Sequence, residues 1–293
     1  MIYWITVNYY STELIKRLIN SLVETCHGAS LQGINYQIII INNSPDDLSI
    51  HRLKSPYILV FDAPENIGFG RACNIGLNWV YQQDSQALVW LINPDAYLSK
   101  NVLSQAIDVF KSYPELSILG TVIYNNKGEL EFTEGQFNRK TGIIKVCNQL
   151  SEFLQNQPYQ LTEWVSGCSL LINLKNFKEC PQFDPNYFLY YEDFDFCLRY
   201  RNQGHKIGIT AQIQVFHQTS SITQRNPNLK LQYSIYSYLL SLDKHTSKAV
   251  LLYWLFRISF IGLITILITP KKSWYKLKGV INFIVKNISN KLL

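Results

Sequence analysis

Hydrophobic residues follow two rhythms along this chain. Four short runs, Tyr3 to Val7, Tyr36 to Ile41, Tyr57 to Phe61 and Ala87 to Ile92, are apolar nearly throughout and rich in β-branched or aromatic residues, the pattern of strands buried on both faces. Between them, Glu13 to Cys26 carries Leu14, Leu18, Ile19 and Leu22 at helical spacing, and Ala72 to Tyr81 reads as a second helix. Such alternation predicts an α/β fold with a mostly parallel sheet covered on both sides. Further on, 99–113 reads as a helix, and Leu116 to Tyr124 with Gly128 to Phe132 as a strand and turn. A helix in the run beyond Phe188 ends at Gly204, and a strand beginning at Lys206 to Ile209 leads towards His217. No internal repeat is present, nor a linker long enough to separate two independent domains.

In a sheet of this kind ligands bind beyond the carboxyl ends of the strands. Three polar clusters, at 8–12, 42–47 and 93–95, fall at such ends.

Charge changes the picture only once it is located. The net charge of +6 belongs to the C-terminal tail: from Lys244 on there are nine basic residues and no acidic one, so 1–243 is net −3. A folded domain without a basic stripe excludes nucleic acid as the expected partner. The six cysteines show no C-x-x-C pairing and follow no basic leader, which predicts a reducing compartment.

Candidate chemistry sits in a few places. Asp95 follows a strand and a proline, where a carboxylate can hold a divalent ion against a diphosphate or cap the following helix. Glu192, Asp193 and Asp195 crowd three acids into an aromatic run. On a helix start, 192 and 195 share a face while 193 points away. Crowding and burial can raise a carboxylate's pKa, as a general base requires, although acids also favour a first helical turn for its dipole. His217 at a strand end could ligate a metal, bind phosphate or be structural. Gly68-Phe69-Gly70 permits close backbone approach, Arg71 and Arg199 could meet phosphate or pair with nearby acids, and Cys73 and Cys197 read as inert small hydrophobes.

Four motifs in order, Glu65 through Gly76 (ENIGFGRACNIG), Leu91 to Asp95 (LINPD), Gly167 to Ile172 (GCSLLI) and Phe183-Asp184 through Arg199, with His217 beyond, resemble the family 2 glycosyltransferases of the GT-A fold. Within that family they are similar to the bacterial rhamnosyltransferase-like branch. The resemblance covers roughly residues 3–220. It implies a mixed, mostly parallel sheet flanked by helices, with a nucleotide-sugar-binding half over about 1–98 and an acceptor-binding half over about 99–243. By the same resemblance, Asp95 helps hold a Mg2+ or Mn2+ ion on the donor diphosphate with His217 close by, and Asn93 stands where many relatives have the first acid of a D-x-D motif. Asp193 is the expected catalytic base, with Glu192 as its alternate. Asn8, Asn66 and Gly68 are expected along the nucleotide and sugar, with Arg71 near them. One departure stands out: Ile41 occupies the position where relatives often carry an Asp that meets the base or ribose, so Asn42 or Asp46 is expected to take over that contact.

The implied reaction is an inverting transfer of L-rhamnose from dTDP-rhamnose to a hydroxyl of a lipid-linked saccharide, in assembly of a surface polysaccharide. The alternatives are a hexosyl- or N-acetylhexosaminyl-transferase using a UDP- or GDP-sugar, and a non-catalytic nucleotide-sugar-binding scaffold of a membrane complex. dTDP or UDP is expected ahead of GDP.

The tail, 244–293, has its own pattern. Ala249 to Thr269 is a 21-residue apolar stretch broken by one charge, Arg257; beyond Pro270, Trp274, Leu277, Ile281, Ile284 and Ile288 recur at helical intervals opposite Lys271, Lys278, Asn282 and Lys286. The tail is expected to be helical and membrane-associated, as a peripheral or partly inserted hairpin with a single span as the alternative, its 249–293 segment meeting an anionic surface at the cytoplasmic face of the membrane. The competing expectation is that both segments pack on the catalytic domain or form a homodimer interface.

Overall fold

The computed structural model describes residues 1–26, 36–99, 102–218 and 226–292, the side chains of 23–26 and 289–292 excepted. The helix expected over 99–113 is described from Val102 to Ser112; residues 100–101, like the side chain of Cys26 and residue 293 of the tail, lie outside the described residues.

The described residues form two compact units. Unit 1 comprises Met1–Gln136, Lys145–Pro185 and Asp193–Thr219, and unit 2 comprises Phe137–Ile144, Asn186–Glu192 and Ser220–Leu293. The chain passes between them several times, so no single linker marks a boundary in the sequence.

Unit 1 is built on a mixed sheet. Strands β1 (Ile2–Asn8), β2 (Tyr36–Asn42), β3 (Ile58–Asp62) and β4 (Leu88–Ile92) run parallel in the order β4-β1-β2-β3. The register sets Ile5 between Ile39 and Leu91. Ile38 to Ile41 are fully buried, as a central strand covered on both faces requires. The short β5 (Ala96–Leu98) follows β4, and β6 (Leu116–Asn125), β7 (Leu130–Phe132), β10 (Gln160–Leu161), β11 (Ser169–Asn173) and β12 (Lys206–His217) complete the sheet. β11 is antiparallel to β4 and β6, whereas β12 is parallel to β6. A separate pair, β8 (Glu134–Asn138) and β9 (Ile143–Cys147), forms a hairpin whose turn belongs to unit 2.

The helices α1 (Thr12–Cys26), α2 (Phe69–Gln83) and α3 (Val102–Ser112) bury one stripe each. In α1 that stripe is Ile15, Leu18, Ile19 and Leu22, spaced as an amphipathic helix on a sheet demands. Gly68 opens α2 at φ +87°, a left-handed conformation that a side chain would strain. The short α4 (Glu152–Asn156) precedes β10, and α5 (Glu192–Asn202) precedes β12.

Unit 2 is mainly α6 (Pro227–His245), α7 (Lys248–Ile264) and α8 (Pro270–Leu292), with one further helical turn at Thr265–Leu267. Its core is Ile235, Leu239, Leu242, Leu251, Val280 and Phe283. The helical path breaks before Pro270, which is well placed in the first turn of α8 and cannot continue a preceding helix.

Candidate active site

The three polar clusters lie where the strand ends put them. Asn8 and Asn42 are the last residues of β1 and β2 and face each other in register. Both are fully buried, so their amides need partners. Asn8 Nδ2 is 2.9 Å from Asn42 Oδ1 and 3.2 Å from Asp47 Oδ2, while Asn8 Oδ1 accepts from the Ser11 amide and hydroxyl at 2.9 and 3.0 Å. Asn42 Nδ2 donates to Asp62 Oδ1 at 2.8 Å, at the end of β3. With Ile41 unable to accept, Asn42 therefore bridges β1 and β3.

Of the two acids that follow, Asp46 accepts from the Tyr10 hydroxyl at 2.7 Å on the surface, while Asp47 is the one drawn under the strand ends. Burial works to raise the Asp47 pKa, but hydrogen bonds from Ser49, Asn8 and Thr12 outweigh it and hold the carboxyl below its ordinary range.

The next loop is fixed by a second asparagine pair. Asn43 Nδ2 donates to Asn66 Oδ1 at 2.9 Å, the Ile67 amide donates to Asn43 Oδ1 at 2.9 Å, and the Gly68 amide donates to Asn66 Oδ1 at 3.1 Å. This holds the Gly68 turn at the start of α2, whose first turn has no side-chain cap. Arg71, one turn along, gives its Nε to Pro185 O at 2.6 Å and remains exposed. Arg199 is not available to phosphate: it pairs with the fully buried Asp195 at 2.7 Å and donates to Gln182 O at 2.7 Å.

Beyond β4, Asn93 donates its amide to Cys168 O at 2.9 Å, and Asp95 is brought against His217 because β5 and β12 pair antiparallel with Ala96 opposite His217. His217 Nε2 is 3.2 Å from Asp95 Oδ1, and its Nδ1 is 3.2 Å from Glu131 Oε2. Burial of the ring lowers its proton affinity, and Cys168, Asp95 and Glu131 raise it by more. Burial also pushes the Cys168 thiol up and keeps it neutral, so we assign the net upward shift of His217 to the two carboxylates.

The donor set can be tested against a divalent ion. Among the described residues no three His, Cys, Asp or Glu side chains converge as a preformed ion site. Asp95 and His217 nevertheless offer one oxygen and one nitrogen 3.2 Å apart, and Glu131 on Nδ1 fixes the ring so that Nε2 can ligate once an ion displaces its proton. Two protein ligands supplemented by substrate phosphate oxygens suit Mg2+ or Mn2+. The residues fit the ion as a shared protein and diphosphate site.

Asp193, the second residue of α5, is half-buried and tied to the sheet: its Oδ2 accepts from the Gly167 amide at 2.8 Å and its Oδ1 from the Phe194 amide at 2.8 Å. Burial raises its pKa, and these backbone bonds offset only part of the rise. Position 167 is closely packed: a Cβ there would lie 3.3 Å from that of Asp193 and 3.4 Å from the Phe69 ring, so a larger residue would need small shifts of these neighbours. Glu192 is buried, as is Asp195, so 193 alone of the three turns outward, as their helical spacing predicts. Tyr190 and Tyr191 enter this helix at φ +70° and +63°, a left-handed pair costing roughly 1–3 kcal/mol each. Cys73 and Cys197 are buried within the core, the latter thiol pushed up by burial.

The structure thus joins Asn8 with Asn42, Asn66 with Gly68, and Asp95 with His217, and it leaves Asp46 and Arg71 at the surface. Reading the sequence did not single out Asp47, Asp62, Asn43, Glu131 or Gly167 as partners. Asp47 had a local signal, as the cap of the turn over Leu48–Leu53. Glu131 had none, because it meets His217 across 86 residues.

The pattern that defines glycosyl transferase family 2 matches residues 3–178. Among curated proteins, the chain is 23% identical over 217 residues to the low-salt glycan biosynthesis hexosyltransferase Agl10 of Haloferax volcanii, covering 73% of this chain and 66% of that protein. It is 24% identical to rhamnosyltransferase WbbL of Escherichia coli K12, covering 74% and 83%. Among solved structures, GalNAc-T7 with UDP, GalNAc and Mn2+ superposes with a TM-score of 0.61 at 13% identity, covering 99% of this chain and 57% of that one. S. aureus TarS 1-349 with UDP-GlcNAc gives 0.55 at 13%, covering 82% and 65%. The chain therefore spans just under two thirds of Agl10 and little over half of GalNAc-T7.

Proposed function

The chain belongs to glycosyl transferase family 2, and from that premise we infer that it transfers a sugar from a nucleotide-sugar donor to a hydroxyl of a saccharide acceptor, with inversion at the anomeric carbon. One ladder of contacts supports this reading above all. Asn93 bonds Cys168, Gly167 bonds Asp193, and so a carboxylate with a raised pKa stands two hydrogen bonds from the strand end that carries Asp95.

In this reading the ends of β1 and β2 (Asn8, Asn42), with Asp46, Asn66, Gly68, Arg71 and Asn93, receive the nucleotide and its diphosphate. The Asp193 carboxylate accepts the proton of the acceptor hydroxyl as that oxygen bonds to the anomeric carbon, and the bond from that carbon to the diphosphate oxygen breaks on the opposite face. One displacement inverts the configuration. Glu192, buried beside Asp193, is the reserve carboxylate. Asp95 and His217 would hold a Mg2+ or Mn2+ ion, which supplies charge stabilisation for the departing diphosphate when bound.

The donor we place first is a hexose, since Agl10 is a hexosyltransferase, or an N-acetylhexosamine, on UDP or GDP; dTDP-rhamnose, the first expectation from the motifs, comes second on the strength of WbbL. The proposed acceptor is a lipid-linked saccharide at the cytoplasmic membrane face. A panel of UDP-, dTDP- and GDP-sugars incubated with detergent-solubilised protein, Mg2+ or Mn2+ and a lipid-diphosphate-saccharide tests all of this. Consumption of one donor that needs both metal and acceptor supports transfer and identifies the sugar. Binding without turnover across the panel would replace the transferase by a nucleotide-sugar-binding scaffold.

A further inference from the structure

Unit 2 leaves an apolar surface uncovered. The segment Lys248–Leu267 has a mean hydropathy of 2.1 and only 11% of its apolar window is buried. Leu252, Phe256, Phe260 and Leu263 recur three and four residues apart and are all exposed, forming one stripe along α7. The turn that follows is barer still, with Leu267 93% and Ile268 78% exposed. On α8, Trp274, Ile281, Val285 and Ile288 form a second exposed stripe.

α7 and α8 are held as a rigid hairpin. A Cβ at Gly262 would lie 2.8 Å from Leu277 Cδ2, and Thr265 and Ser273 share a hydrogen bond of 2.8 Å. α8 is also closed onto α6, where a Cβ at Gly279 would lie 2.7 Å from Gln232 O.

We propose that this hairpin seats the protein on an anionic lipid bilayer by dipping its tip, Leu263 to Ile268, into the acyl region without crossing it. This deepens the membrane placement proposed above and rests on it. Three features select the occupant. Lys271, Lys272, Lys276 and Lys278 follow the tip with no acid from Lys244 onward, so anionic headgroups complement the surface, whereas a second copy would oppose like charge with like. Trp274, beside the tip through the Thr265–Ser273 bond and 55% exposed, suits the headgroup level. Crossing is disfavoured because Lys276, level with Gly262, and Arg257, stacked 4.7 Å from the Trp254 ring midway along α7, would enter the hydrocarbon.

The test is flotation of the full chain with vesicles of neutral phosphatidylcholine or of phosphatidylcholine with phosphatidylglycerol, with no donor or acceptor present, so it fails independently of transfer. The expected result is recovery with the anionic vesicles, release by alkaline carbonate, and loss of partitioning on the order of a hundredfold in Leu267→Ser/Ile268→Ser. Circular dichroism of that variant should match wild type. Absence from anionic vesicles, retention after carbonate, unchanged partitioning of the tip variant, or a dimer in solution that the tip variant dissolves would each overturn the proposal.

Discussion

Two aspartates in unit 1 are partly buried, and their pKa values are displaced in opposite directions. Asp47 lies under the ends of β1 and β2, where Asn8, Thr12 and Ser49 all donate to it and hold it ionised. Asp193 lies at the start of α5, where two backbone amides are its donors and burial prevails. Burial acts far more strongly on Asp193 than on Asp47, and its weight against the donors decides the sign. A saturated carboxylate makes a good scaffold and a poor base. One that burial leaves short of charge-stabilising donors can take a proton.

Replacing Asp193 by Asn should break this contrast most severely: turnover is expected to fall by roughly 10²–10⁴-fold, with nucleotide binding by calorimetry retained. Wild-type turnover in that variant would remove Asp193 from the chemistry. Releasing His217 by Glu131→Leu should weaken Mn2+ affinity by about 10–100-fold, read by metal titration of nucleotide binding. An unchanged titration would mean that the Glu131 contact does not orient the ring.

The scaffold aspartate should answer in stability instead. Asp47→Ala is expected to cost about 1–3 kcal/mol in denaturant unfolding, because Asn8, Thr12 and Ser49 each lose an acceptor beneath the strand ends. The pH dependence sharpens the comparison further. Asp47 has a folded pKa below its unfolded value, so its stabilisation is present above the unfolded value of roughly 4 and is lost as pH falls through the folded one. Asp193 has its pKa raised, so catalytic competence should already decline at a pH above the ordinary carboxylate range as the base takes up a proton. A pH–rate profile and a pH–stability profile of the same protein should therefore separate, the rate failing first on acidification.

How much of this could be read along the chain follows from how local each cause is. Asn8, Asn42 and Asn93 were readable because apolar runs end there, and a parallel sheet places such ends on one edge. The outward turn of Asp193 between buried Glu192 and Asp195 followed from helical spacing. The choice between adjacent Asp46 and Asp47 did not, since a turn can present either. Arg199 was equally open to phosphate or an acid until Asp195 was seen four residues before it at 2.7 Å.

The sequence by itself determined the alternation of strands and helices, the strand-end clusters, the basic and apolar character of the tail and the family, because periodicity, turn residues and motif order are properties of neighbouring positions. Only the tertiary structure decided that Glu131 orients His217 across 86 residues, that Gly167 anchors Asp193 across 26, and that most apolar side chains of α7 face outward while Leu251 enters the core. Those outcomes depend on which surfaces meet, and a helix apolar all round looks the same in a sequence whether lipid or protein covers it.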